Sequence, residues 1–166
     1  MIRQLVSPLA DQSIVMVAQA VADSIDERIS QVASSDEFLQ ANSLGASSSQ
    51  VQALLTPTLE NLGFESELRS KAVSAEFRPD FTKFVGDSAI LAEIERGKTL
   101  DNNMDMLDMW KTHVHPVANH LILIVPVWYE TSKFKRSTFM SVCRRMEPFF
   151  APGNYSNVHS LHVVGY

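Results

Sequence analysis

Cysteine is almost absent from this chain: Cys143 stands alone among 166 residues. A single cysteine excludes an internal disulfide framework, and the reading it favours is a reducing, cytoplasmic setting. No apolar run approaches the ~20 residues needed to span a bilayer, so no membrane partner is expected. The stretch Met1–Leu9 holds one arginine and no long apolar core, so no secretory signal is expected either. A glycine-rich, phosphate-cradling loop is also missing, which disfavours a nucleoside-triphosphate or dinucleotide enzyme. Basic residues are scarce in the first part of the chain. Residues 1–65 carry Arg3 and Arg28 against eight acidic residues.

What is present is ordinary for a folded domain: 45% hydrophobic and 20% charged residues. A chain of this length buries roughly 70% of its unfolded surface, so its stability requires no disulfide, cofactor or partner. The net charge of −5 argues weakly against nonspecific nucleic-acid binding. Its distribution matters more. Between Thr131 and Met146 there are five basic residues and no acidic one, which is where an anionic partner would dock.

Periodicity predicts an α/β domain with a mixed central sheet. From Pro8 to about Phe38, the spacing of Ile14, Val17, Ala18, Val21, Ile25 and Ile29 predicts one long amphipathic helix. With the Ser-rich stretch after it, residues 1–45 read as a helical arm and linker and residues 46–166 as the core. The arm either packs on its own domain or forms a homodimer through its apolar stripe. Ser48 or Ser49 is placed to cap a helix running to about Leu62, with Pro57 as a blemish and Gly63 as its C-terminal glycine. A first strand is expected from Phe64 to about Val73. Phe77–Val85 and Ser88–Glu95 read as strands joined by Gly86-Asp87, a pair suited to a two-residue type II′ turn. A helix from Asp101 or Asn102 to about His113 would turn Leu107, Trp110 and Val114 inward and Asp101, Asp105 and Asp108 outward. His120–Pro126 reads as a strand buried on both faces. Ser132 to about Phe150 reads as a helix burying Phe139, Val142, Cys143, Met146 and Phe149. Val158–Val164 reads as the last strand.

The Gly86-Asp87 turn sets a register in which Asp80 lies opposite Glu93 and Arg78 opposite Glu95, all on one face. Like charges across a strand pair destabilise it, so three clustered carboxylates call for a cation. Arg78 offsets one charge. A divalent metal offsets more, since Mg²⁺ takes hard carboxylate oxygens together with waters and substrate phosphates. Such a site suits phosphodiester hydrolysis. The competing reading is a solvent-facing hairpin whose charges are simply hydrated.

Pro79-Asp80, thirteen residues, then Glu93-Ile94-Glu95, in helix–strand–strand–strand–helix–strand order, resembles the PD-(D/E)XK nuclease superfamily with its restriction-endonuclease-like fold. The resemblance covers about residues 49–165. It implies that Asp80 and Glu93 bind Mg²⁺ or Mn²⁺, and that Glu95 occupies the family's lysine position in an E-x-E variant of the motif. It also implies that Glu60, on the helix before the first strand, is a further carboxylate of the site.

Lys98, the nearest lysine after the motif, reaches the scissile phosphate if its loop folds back; otherwise it meets substrate or solvent. Arg96 points to the face away from Glu95, in a structural role or as a salt-bridge partner. Lys133, Arg136, Ser137, Ser141 and Arg144 fall at helical spacing, and with Lys135 form a stripe able to track a phosphate backbone. The competing reading is a solvated helix face. His113, His115 and His120 are poorly spaced for a shared zinc ion on a regular helix; Lys111 among them is able to reach the active-site side. Cys143 reads as a core residue. The leading expectation is a metal-dependent nuclease acting on DNA, and the alternative is a nuclease-fold nucleic-acid-binding or scaffold protein without catalysis. A third reading is a helical-arm interaction module.

Overall fold

The computed structural model describes residues 1–43, 46–66, 78–96, 99–131 and 133–166. Its frame is a six-stranded mixed sheet with helices on both faces. The elements run β1 (Ile2–Val6), α1 (Gln12–Val32), α2 (Asp36–Ala41), α3 (Ser48–Asn61), β2 (Glu65–Ser66), β3 (Phe81–Val85), β4 (Ser88–Ile94), α4 (Met104–Val114), β5 (Ala118–Val125), β6 (Trp128–Glu130), β7 (Lys135–Ser137), α5 (Thr138–Met146) and β8 (Ser160–Gly165), with a 3₁₀ turn at Glu147–Phe150. The strand order is β1-β8-β5-β4-β3-β2, and β6-β7 is a separate hairpin. Strands β4, β5 and β8 are parallel, and β1, β3 and β2 add antiparallel edges.

Strand β5 anchors the fold. Leu121, Ile122, Leu123 and Ile124 are all fully buried, and burying each such side chain contributes roughly 1.5–3 kcal/mol. Alternation sends Ile122 and Ile124 to one core, with α1, α2 and α3, and Leu121 and Leu123 to the other, with α4 and α5. This is the doubly buried strand expected from the run HLILIVP.

Residues 1–43 pack into the fold and do not stand apart as an arm. β1 pairs along β8, from Ile2–Val164 to Val6–Ser160. The helix expected over Pro8–Phe38 is two helices, broken where Ser35 caps α2 by accepting from Phe38 N–H. The α1 stripe was read correctly, but Ala18, Val21, Ile25 and Ile29 lie in the chain's own core. Of the two readings of that stripe, packing on its own domain or on a second copy, the structure shows the first. Periodicity reveals that a face is buried, and says nothing of what buries it.

Helix α3 is capped at Ser47, one residue before the expected cap, where Gln50 Oε1 accepts from Ser47 N–H at 3.1 Å; Pro57 sits inside it without ending it. Of the expected strand Phe64–Val73, β2 is described at Glu65–Ser66; residues 67–77 lie outside the described residues. The expected helix from Ser132 to Phe150 is corrected. Residues 135–137 pair with 128–130 as a hairpin, and α5 begins only at Thr138. The basic residues that matched a helical repeat therefore do not share a helix face. No helix among the described residues is long and apolar enough to cross a membrane.

Candidate functional site

The β3–β4 hairpin has the register read from its turn. Phe81 pairs with Ala92 and Val85 with Ser88. Gly86 takes φ +60°, a left-handed conformation that glycine adopts without penalty and that a type II′ turn requires. Asp80, just before β3, is thereby level with Glu93 and locked to β4 by two bonds. Its N–H donates to Glu93 Oε2 at 3.1 Å, and its Oδ2 accepts from Ile94 N–H at 2.8 Å. Since Ala92 and Ile94 face the α1–α3 core, Glu93 and Glu95 face the α4 layer.

Helix α4 meets them with charge. Lys111 Nζ stands 3.1 Å from Glu93 Oε1 and 2.9 Å from Asp108 Oδ1. Glu93 is 2% exposed, Asp108 0% and Lys111 12%. The expected orientation of α4 is thus reversed. Asp105 and Asp108 are fully buried, whereas Leu107, Trp110 and Val114 are 41%, 54% and 43% exposed. An apolar stripe turns inward when the surface facing it is apolar. Here that surface is the carboxylate end of β4, which requires a cation and polar partners. Asp101 does point outward, where it accepts from Arg136 at 2.7 Å. Asp105 is partly offset by Arg145, whose Nε lies 3.4 Å from Oδ2.

Crowding and burial set the protonation of the cluster. Burial pushes Glu93 well above the usual carboxylate range, with the Asp108 charge adding to the rise and Lys111 opposing it. Glu95 is pushed up to about 8 by burial and by the charges of Asp108 and Asp80. Burial raises Asp108 to about 6 against the pull of Lys111. Burial alone would lower the Lys111 pKa, but Glu93 and Asp108 outweigh it and hold the ammonium charged. The rise at Glu95 favours its protonated form near neutral pH, beside the Asp108 carboxylate. Neither Asp108 oxygen gains a well-aligned hydrogen bond from these neighbours.

Asp80, Glu93 and Glu95 therefore come together as expected; among the described residues the cation paired with Glu93 is Lys111, and Arg78 is exposed. Asp108 completes the group and was missed. Its one sequence signal is the i, i+3 pairing with Lys111. Glu60 sits half-buried in the last turn of α3, in the helix layer on the other face of the sheet from Glu93. Lys98 lies outside the described residues. Arg96 is structural, donating to the carbonyls of Ala41 and Ser43.

The three histidines serve separate ends. His113 binds Asn157, His115 Nδ1 accepts from Ala118 N–H at 2.8 Å, and His120 is buried against Ser160. Cys143 is buried, with its thiol pushed up to about 11 by burial. Lys133, Lys135 and Arg136 lie on the β6–β7 hairpin, and Arg144 is exposed on α5.

The donors around Lys111 are all hard carboxylate oxygens, the set that Mg²⁺ or Mn²⁺ takes. As they stand, no group of three or more His, Cys, Asp or Glu among the described residues is disposed to hold a metal ion. Lys111 and the Glu95 proton already supply the positive charge there, so a metal would have to replace one of them. No protein-family model matches the chain, and no curated protein matches it.

Proposed function

We propose that this chain is a metal-dependent nuclease that hydrolyses DNA phosphodiester bonds on a restriction-endonuclease-like frame. The observation that carries the reading is the cluster of Asp80, Glu93, Glu95 and Asp108 at the C-terminal end of β4, with Lys111 paired to Glu93 and Asp108. A sheet that needed only stability would not bury this much like charge, because an uncompensated buried carboxylate costs several kcal/mol. The run α3, β2–β4, α4, β5, α5, β8 supports the resemblance that the Pro79-Asp80 and Glu93-Ile94-Glu95 spacing suggests. Ligands of open α/β sheets settle at the C-terminal ends of parallel strands, where Glu93 and Glu95 stand.

In this reading Asp80 and Glu93 would hold Mg²⁺ or Mn²⁺, with Glu95 and Asp108 as further oxygens. When bound, the ion supplies phosphoryl polarisation and a hydroxide-like nucleophile near neutral pH. The chain's residues do the rest. The Ile94 N–H fixes the Asp80 carboxylate. Glu95, pushed up to about 8 in the metal-free site, would release its proton as an ion binds. Lys111 neutralises Glu93 and Asp108, and once an ion takes over that task its ammonium is available to the anionic substrate.

A second reading is a nuclease-fold nucleic-acid-binding or scaffold protein without catalysis. Lys111 favours it, since the cluster is already neutralised in part and no ready metal set stands among the described residues. Incubation of plasmid DNA with Mg²⁺ or Mn²⁺ separates the two. The nuclease reading expects cleavage that Asp80→Ala abolishes. DNA binding without cleavage by either protein would leave the second reading.

A further inference from the structure

The β6–β7 hairpin adds little to either core, yet it carries three aromatic rings and three cations. Trp128 pairs with Ser137, Tyr129 with Arg136 and Glu130 with Lys135. Alternation puts Trp128 and Lys135 on one face, where Lys135 Nζ lies 5.4 Å from the Trp128 ring centroid. On the other face Arg136 lies over Tyr129 and Phe134, at 5.1 and 5.6 Å. Trp128 is 55% exposed and Phe134 48%. Large rings left this open on a two-stranded ribbon are not there for core packing.

The hairpin is joined to the carboxylate site through a single residue. Val127 N–H, at its root, donates to the Tyr166 carbonyl at 2.6 Å, and the Tyr166 hydroxyl donates to the Glu95 carbonyl at 2.8 Å. Arg136 also ties the hairpin to Asp101, just ahead of α4. Hairpin and carboxylates thus share the C-terminal edge of the parallel strands. The hairpin also opens the one stretch, Thr131 to Met146, with five basic residues and no acidic one in a chain of net charge −5.

We propose that the β6–β7 hairpin is a platform for an unpaired nucleic-acid strand that crosses its edge, with bases stacked on Trp128 on one face and on Phe134 on the other while Lys133 and Lys135 meet phosphates. The choice of ligand class rests on the nuclease reading above. The physical case is that every base offers a π-face to an exposed ring, whereas a duplex keeps its bases stacked on one another. The Lys135–Glu130 pair is exposed on both sides, at 2.8 Å. Such pairs hold little free energy, so Lys135 exchanges Glu130 for phosphate readily. Arg136, held by Asp101 and two rings, keeps the hairpin in shape.

The test is fluorescence anisotropy in EDTA, so that binding is read without cleavage. The probes are labelled oligothymidylate of about 15 nucleotides and an abasic strand of the same length. The wild type should bind oligothymidylate more tightly than the abasic strand. Trp128→Ala with Phe134→Ala should weaken oligothymidylate about tenfold or more, to the abasic level, and leave abasic binding unchanged. Trp128→Phe should restore most of the affinity. Equal melting temperatures would show that the half-exposed rings were removed without loss of fold.

Several results would overturn the platform. These are equal binding of the two strands by the wild type, no effect of the double substitution, and binding only to phosphatidylserine vesicles. Ring-dependent strand binding without any metal-dependent cleavage would uphold the platform and refute the nuclease. Asp80-dependent cleavage of duplex DNA without oligothymidylate binding would do the reverse.

Discussion

Replacing Lys111 by methionine removes the ammonium and keeps most of the side chain's volume. Glu93 and Asp108, 2% and 0% exposed, then face each other without a cation. Breaking a buried pair by deleting one partner costs about 3–5 kcal/mol. The cluster's alternative is to bind a proton. Neutralising a carboxylate whose unfolded pKa is about 3.9 costs about 4 kcal/mol at pH 7 and about 1.5 kcal/mol at pH 5, at ~1.4 kcal/mol per unit. The two routes agree near neutrality and part in acid. For a chain of this length 1 kcal/mol moves the melting temperature by about 2–4 °C. Lys111→Met should therefore melt about 10 °C below the wild type at pH 7.5 and only a few degrees below it at pH 5. Thermal unfolding followed by circular dichroism at both pH values measures this.

A variant that melts with the wild type at pH 7.5 would refute the ion-pair account. An equal deficit at both pH values would assign the loss to packing rather than charge. Millimolar Mn²⁺ adds a further reading. An ion that takes the place of the ammonium stabilises by RT ln(1 + [L]/Kd), roughly 2.7 kcal/mol at 100 times Kd. It should then close much of the gap at pH 7.5.

Glu95 is pushed up to about 8 from a usual 4.5, so the folded state binds its proton more tightly than the unfolded chain does. That contribution is fully present below about pH 4.5 and is lost as pH rises through about 8. The wild-type melting temperature should fall between pH 6 and 9, and Glu95→Gln should flatten the fall and melt higher at about pH 9; parallel profiles would exclude Glu95 as the titrating group. At Gly165 an added Cβ would lie 2.9 Å from both the Phe139 ring and a Val127 methyl. Gly165→Ala should therefore destabilise by about 1–3 kcal/mol in urea unfolding, and an unchanged midpoint would mean that the hairpin root yields at no cost.

The legible parts of this molecule are those decided over a few residues. Gly86-Asp87 and the alternation around it suffice for register, and register alone puts Asp80 beside Glu93. The run His120–Pro126 is apolar enough to be buried whatever surrounds it. Reading failed where the partner decides. The α4 sequence offers two rival stripes, Leu107/Trp110/Val114 and Asp105/Asp108, and only the carboxylates waiting on β4 reverse the ordinary preference. The basic stretch failed differently. Lys133, Arg136 and Arg144 match a helical repeat by coincidence of spacing. The stronger signal was aromatic, with Trp128, Tyr129 and Phe134 flanking a tight turn as strands do.

The α4 reversal bears on how an anion could enter the site. Among the described residues Lys111 pairs with Glu93 and Asp108, and the raised proton affinities of Glu93, Glu95 and Asp108 answer first to burial and then to the charge the carboxylates place on one another. A phosphodiester approaching this site would meet net negative charge whether or not Glu95 keeps its proton, because the remaining carboxylates still outnumber Lys111 among the described residues. It would therefore enter with a cation. Metal ions compete with protons for these same oxygens. Any metal affinity should accordingly rise with pH across the titration of Asp108 and Glu95, from about 6 to about 8, over the range in which the metal-free fold loses stability. If a metal binds there, the same carboxylates link stability and metal affinity to pH with opposite signs, which melting temperatures taken with and without Mn²⁺ from pH 6 to 8 would measure.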